Sequence, residues 1–236
     1  MRIFVILPIL RNEVFEDITR RELEVAKRKD TEIYVVSLDE GPASIESAYD
    51  EELAAPWILE RVKEAEDKGF DAIIIDCMGD PALHAAREIV NIPVIGPCQA
   101  SLSIASMICD RFSVITVLDR LLPLFRRKIR EYGFEDKLSS VRSVEVPVLE
   151  LEKKREEVKA RLLSEAKKAL EVDGAEAIIL GCTGMVGMAK ELQENLKVPV
   201  IDPAVASIKM AEILVDMGIS QSKRGYPKPP EKLRIL

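Results

Sequence analysis

Histidine is almost missing from this 236-residue chain: His84 stands alone, and asparagine and glutamine are nearly as scarce at three each. With a single imidazole a zinc centre is disfavoured. The four cysteines (77, 98, 109 and 182) contain no Cys-x-x-Cys pair, so a thiol redox protein with a resolving cysteine is disfavoured. A positive excess is also lacking. With 34 basic against 41 acidic residues the net charge is −7, which speaks against nucleic acid or an anionic membrane as the main partner. No apolar run approaches the roughly 20 residues of a membrane span. The start, Met1 to Pro8, has no small-residue cleavage site and reads as a first strand rather than a signal peptide. The expectation is a cytoplasmic protein with free thiols and a small-molecule substrate. Low amide content beside abundant Glu, Lys and Arg is the bias associated with hyperthermophiles. At 47% hydrophobic and 32% charged the composition is that of a globular chain, long enough for one large domain or two of about 100 to 120 residues.

What is there is a stretch written twice. Asp71-Ala72-Ile73-Ile74-Ile75-Asp76-Cys77-Met78-Gly79-Asp80 is answered by Glu176-Ala177-Ile178-Ile179-Leu180-Gly181-Cys182-Thr183-Gly184-Met185, at an offset of 105. Downstream the offset becomes 106: Ile92-Pro93-Val94-Ile95-Gly96-Pro97 matches Val198-Pro199-Val200-Ile201-Asp202-Pro203, and Ala100-Ser101 matches Ala206-Ser207. Such agreement points to a duplicated unit. Short continuous apolar runs at 3–7, 32–38, 72–76, 94–95, 112–117, 177–181 and 200–201 suit strands buried on both faces. An extended segment is expected at 141–148. Helices are expected at 13–28, 51–68, 98–109, 119–131, 151–172, 186–195 and 203–217. Ser44 is placed to cap the helix after it, and Asp80-Pro81 has the form of a helix start with Asp as cap. Strands alternating with helices give an α/β fold of two similar Rossmann-like lobes, with parallel sheets related by a pseudo-two-fold axis and an active site in the cleft between them. The first lobe takes residues 1–97 plus 206–236 and carries Cys77. The second takes 98–205 and carries Cys182.

In an open parallel sheet, ligands bind at the carboxyl ends of the strands, where both matched cysteines fall. Gly79 and Gly184 let backbone approach a ligand and leave amides for an oxyanion. A helix N-terminus lowers a thiol's pKa, so reactive thiolates are expected. A thiolate and a thiol facing each other across a carbon acid form a two-base device: one takes the proton, the other returns it from behind, and no cofactor is required. Most single cysteines are small buried hydrophobes, and Cys98 and Cys109 keep that reading. His84 is expected to be an exposed helix residue, Trp57 to pack a core or subunit contact, and the charged helix near 150–168 to be a solvated face.

These residues resemble the Asp/Glu/hydantoin racemase superfamily, and within it the hydantoin racemase branch that includes allantoin racemases. The resemblance covers nearly the whole chain and rests on Gly41-Pro42-Ala43-Ser44-Ile45-Glu46-Ser47, Cys77-Met78-Gly79-Asp80-Pro81, Phe112-Ser113-Val114-Ile115-Thr116, Val141-Arg142 with Pro147 to Glu152, and Leu180-Gly181-Cys182-Thr183-Gly184-Met185. It implies that Cys77 and Cys182 are the acid/base pair. Met78, Gly79, Thr183 and Gly184 would then supply backbone donors to substrate, Thr116 would line the pocket, and Ser44 belongs to the same substrate-binding set. It also implies cofactor independence and a homo-oligomer. One departure stands out. The branch typically carries Asn-Pro-Asn-(Ser/Thr) after the first strand, whose second Asn contacts substrate; here the stretch is Leu7-Pro8-Ile9-Leu10. The proline survives and the polar contact is gone, leaving Asn12 as the nearest amide that could reach in. The substrate expected from the resemblance is a 5-substituted hydantoin or related cyclic ureide. The alternatives are another two-cysteine reaction (amino-acid racemisation, or maleate isomerisation with one cysteine as nucleophile) and a non-catalytic binding protein.

Overall fold

The computed structural model describes residues 1–234, so residues 235–236, assigned above to the first lobe, lie outside the described residues. The apolar runs become two four-stranded parallel sheets. In the first, β1 (Arg2–Leu10) lies between β2 (Glu32–Leu38) and β3 (Ala72–Ile75), and β4 (Val94–Ile95) forms the edge, giving the order β2-β1-β3-β4. In the second, β5 (Phe112–Thr116), β6 (Leu138–Ser143), β7 (Ala177–Leu180) and β8 (Val200–Ile201) repeat that order as β6-β5-β7-β8. The repeat is visible in the register. Ile73 pairs with Val94 and Ile74 with Ile95, while Ile178 pairs with Val200 and Ile179 with Ile201. Every residue of β3, β5 and β7 is buried, as expected where helices cover both faces.

Among the described residues eight helices surround the sheets: α1 (Glu13–Ala26), α2 (Ala48–Asp67), α3 (Leu83–Ile89), α4 (Pro97–Ile108), α5 (Leu122–Glu131), α6 (Arg155–Glu171), α7 (Ala189–Leu196) and α8 (Pro203–Asp216). The two helices that close the repeats cross over. Helix α4 packs on β7 of the second sheet, α8 packs on β3 and β4 of the first, and the two helices pack on each other. The segment after α8 stays on the first sheet's side. Gln221 Nε2 donates to the carbonyls of Val90 and Ile92, and Lys223 Nζ caps the end of α3 through the carbonyls of Arg87 and Val90.

Several local expectations shift for identifiable reasons. Ser44 does not cap α2. Ser47 does, accepting from Asp50 N at 3.2 Å, and α2 therefore starts at Ala48. The sixth strand ends at Ser143 because pairing with β5 runs only from Leu138 to Ser143. Residues 151–154 form turns before α6, and Gly187, at φ +78°, delays α7 to Ala189. Asp80 does not cap its own helix either. It sits at φ +48°, and its carboxylate accepts from Cys98 N and Gln99 N, both at 3.0 Å, so it caps α4 from a distance. Helix α4 has Gly96 at its N-cap, and a Cβ there would collide with the Asp80 carboxylate. In the other lobe Asp202 replaces Gly96 and caps α8 itself, accepting from Ala204 N at 3.0 Å and, from the cysteine loop, Gly187 N at 2.9 Å. Both lobes thus tie the cysteine loop to the following helix with one buried carboxylate, supplied from opposite ends of the connection.

Candidate active site

Cys77 follows β3 and Cys182 follows β7, at equivalent ends of equivalent strands. The two loops touch: Thr183 Oγ1 donates to the backbone oxygen of Asp76 at 3.1 Å. Both thiols line one cavity, together with Leu7, Pro8 and Ile9 of β1, Phe15 and Thr19 of α1, Ile45 from the loop before α2, Val148, Asp76, Thr183 and Gly184. The lining is mostly apolar, and no side chain in it is positively charged.

The expectation of lowered thiol pKa is overturned. No long helix begins at either sulfur; Cys77 is followed by a loop and Cys182 by the short turn Thr183–Met185. Burial pushes Cys182 up to about 12, against the pull of the Gly184 and Met185 amides. Burial and then the Glu51 carboxylate push Cys77 well above its usual range, although Gly79 N–H donates to its sulfur at 3.4 Å. Amides that the sequence offered to substrate oxygen are aimed instead at sulfur, where they stabilise a thiolate once one forms.

Of the residues predicted for the site, Cys77, Cys182, Thr183 and Gly184 share the cavity. Met78 and Gly79 are not in its lining and border a smaller space with Glu51 and Lys128. Burial raises the Glu51 carboxyl to about 7, and its head group lies so close to Gly79 that a Cβ there would displace it. Thr116 is fully buried and donates to the Gly181 carbonyl at 3.3 Å, so it supports the second cysteine strand from behind rather than lining the cavity. Ser44 is also outside the lining, which its neighbour Ile45 joins. Asn12 is engaged as the cap of α1, accepting from Phe15 N at 3.2 Å. His84 lies exposed on α3, 3.5 Å from Glu131. Cys98 is buried and Cys109 half-buried, and neither lines the cavity.

Sequence reasoning missed Asp76, Phe15, Thr19 and Val148. Only Asp76 left a trace: a carboxyl ends a fully apolar strand at the position where the other copy has Gly181. Its backbone is held from both lobes, by Asp76 N–H to Ile6 O at 2.8 Å and by Thr183. Its side chain is buried, and burial with the nearby Asp202 raises it to about 7.

A duplicated α/β protein with both matched thiols in one cavity has the form of a small-molecule enzyme. Comparison with known proteins places it more closely. The sequence model of the Asp/Glu/Hydantoin racemase family matches residues 13–211. The hydantoin racemase of Pseudomonas sp. (strain NS671) is 46% identical over 207 residues, covering 88% of this chain and 83% of that one. Among solved structures, the allantoin racemase of Pseudomonas fluorescens superposes with a TM-score of 0.95 at 32% identity, over the whole of both chains. The allantoin racemase of Klebsiella pneumoniae gives 0.94 at 36%, over 98% of this chain and 95% of that one. The chain belongs to the Asp/Glu/hydantoin racemase family and is an isomerase of that superfamily.

Proposed function

We propose that the protein racemises a neutral cyclic ureide, a 5-substituted hydantoin or a close relative, by passing a proton between Cys77 and Cys182 without a cofactor. The observation that carries this reading is the single cavity holding both thiols in a mostly apolar lining without a cation. Aspartate, glutamate and maleate carry carboxylates that need a positive partner when desolvated, and the one ionisable oxygen acid in the lining, Asp76, would repel them. A neutral ring meets neither obstacle. The names of the relatives, hydantoin racemase and allantoin racemase, support the same ring.

In the proposed step a thiolate sulfur takes the proton from the ring carbon between the substituent and the carbonyl. The C–H bond breaks, an S–H bond forms, and the electron pair moves onto the carbonyl oxygen as an enolate. The opposite thiol then gives its proton to the other face, which re-forms C–H with inverted configuration and leaves the thiol and thiolate exchanged. Because burial disfavours the thiolate, Cys182 is overwhelmingly protonated at neutral pH before substrate arrives. The barrier therefore includes making the base as well as the carbanion. Polarimetry with single enantiomers of 5-benzylhydantoin, allantoin and aspartate, and absorbance with maleate, tests the substrate class. Rotation should decay only with the ureides. Racemised aspartate or isomerised maleate would contradict it.

A further inference from the structure

One group in the cavity wall has no part in the proton transfer. Asp76 is 5% exposed, lines the cavity with both thiols, and its Oδ1 is buried without a hydrogen-bond partner. A buried oxygen left in that condition is disfavoured relative to a satisfied one. Such a cost is retained where a ligand removes it. The backbone on either side is pinned by Ile6 and Thr183, so the carboxyl cannot swing out to water without disturbing the contact between the lobes.

The duplication sharpens the point. The equivalent of Asp76 is Gly181, where a Cβ would stand 2.8 Å from both the Ile115 oxygen and the Thr116 Cα. The second lobe therefore has no room for a side chain at that position, and the carboxyl enters the cleft from one side only. The thiols are matched across the pseudo-two-fold axis, whereas the polar edges of a cyclic ureide are not. Inversion moves the hydrogen and the substituent on one carbon; the ring N–H groups stay in the ring plane. A single fixed acceptor in that plane can hold both enantiomers in one orientation. Besides the thiols the lining holds two hydroxyls: Thr183 already donates to the Asp76 carbonyl, and Thr19 is left to serve a ring oxygen.

We infer that Asp76 is the orienting group of this site, accepting a hydrogen bond from a ring N–H of the ureide and selecting ligands that present one. This rests on the racemase reading above and adds to it the feature of the substrate that is recognised. A ligand N–H replaces nothing already bonded at Oδ1 and favours the ionised carboxyl, so the contact is made in the ground state and kept through the reaction. Its loss should appear largely in KM.

The test is a cycle between protein and substrate. Wild type, Asp76→Leu and Asp76→Asn are assayed by polarimetry on 5-benzylhydantoin and on its N1-methyl and N3-methyl forms. Binding of the same compounds is followed by calorimetry, which reads the contact independently of turnover. On the parent compound Asp76→Leu should lose about 10- to 100-fold in kcat/KM, mostly through KM, and lose binding in proportion. On the analogue methylated at the recognised nitrogen the same substitution should cost less than about threefold. Asp76→Asn, which keeps the shape and a carbonyl acceptor, should fold and fall between the two. Equal losses on all three compounds would overturn the inference. If wild type binds the parent without racemising it and Asp76→Leu abolishes that binding selectively, the orienting role stands and the racemase reading falls. If wild type neither binds nor turns over any of the three, both fall.

Discussion

At the scale of single residues, the site runs against the common picture of an activated cysteine. Neither thiol has a cation or a long helix N-terminus beside it, and burial raises both. In the proposed proton transfer, a thiolate disfavoured by burial makes the rate follow its ionised fraction. Log kcat/KM for the ureide should therefore climb by nearly one unit per pH unit from about 7 upward, rather than levelling near the ordinary thiol pKa. A pH profile that flattened at 8 would mean that substrate binding or another group generates the thiolate. Gly181 gives a second prediction at this scale. Alanine there meets backbone at 2.8 Å on the neighbouring strand, which cannot yield cheaply. Gly181→Ala should lose about 1–3 kcal/mol in urea denaturation and depress turnover by displacing Cys182.

At the scale of elements, the carboxylates that tie each cysteine loop to its helix carry the geometry. Asp80 receives two α4 amides and the Tyr132 hydroxyl, the latter at 2.8 Å. Asp80→Ala orphans all three donors and should cost about 2–4 kcal/mol while weakening turnover through the Cys77 loop. The double variant Asp80→Ala with Gly96→Asp, which imitates the Asp202 arrangement of the other lobe, should recover part of both. Much of this level could be read from the sequence. Strand cores such as 72–75 and 177–180 stood out because a strand buried on both faces is a continuous apolar run, and the duplication reinforced each assignment with a second copy. What could not be read depended on contacts distant in the chain. Asp80 has the pattern of a local helix cap and serves a helix 17 residues further on. Ser44 and Ser47 both have capping chemistry, and only the chain path selects Ser47. Thr116 ends the strand beside the one that leads to Cys182 and is spent on the Gly181 carbonyl. Phe15 and Thr19 share one face of α1, where a cavity wall and a core have the same periodicity.

At the scale of the whole molecule, four carboxyls with raised pKa set the response to pH: Asp76 and Glu51 at about 7, Asp80 at about 6, and Asp202, raised by burial. Each binds its proton more tightly in the folded chain than in the unfolded one, where it titrates near 4. Their contribution to stability is therefore fullest below that unfolded value and is lost as pH rises through 6 to 7. Carboxylates paired on the surface act oppositely. Asp173, held low by Arg142 through bonds of 2.6 and 2.9 Å, withdraws its contribution as pH falls below about 4. Tm should accordingly be highest near pH 5 and fall toward pH 8, and Asp76→Asn should flatten that fall, as differential scanning calorimetry would show. The duplication also frames the central claim, that two lobes each contribute one thiol to a single proton transfer. Proton NMR in deuterium oxide, with each pure enantiomer of 5-benzylhydantoin, tests it most directly. Wild type should exchange the ring-carbon proton of both enantiomers as rotation is lost. Cys77→Ser and Cys182→Ser should each abolish racemisation while retaining slow exchange of one enantiomer only, a different one in each variant. Full racemisation surviving in either variant, or loss of the same enantiomer's exchange in both, would contradict the account.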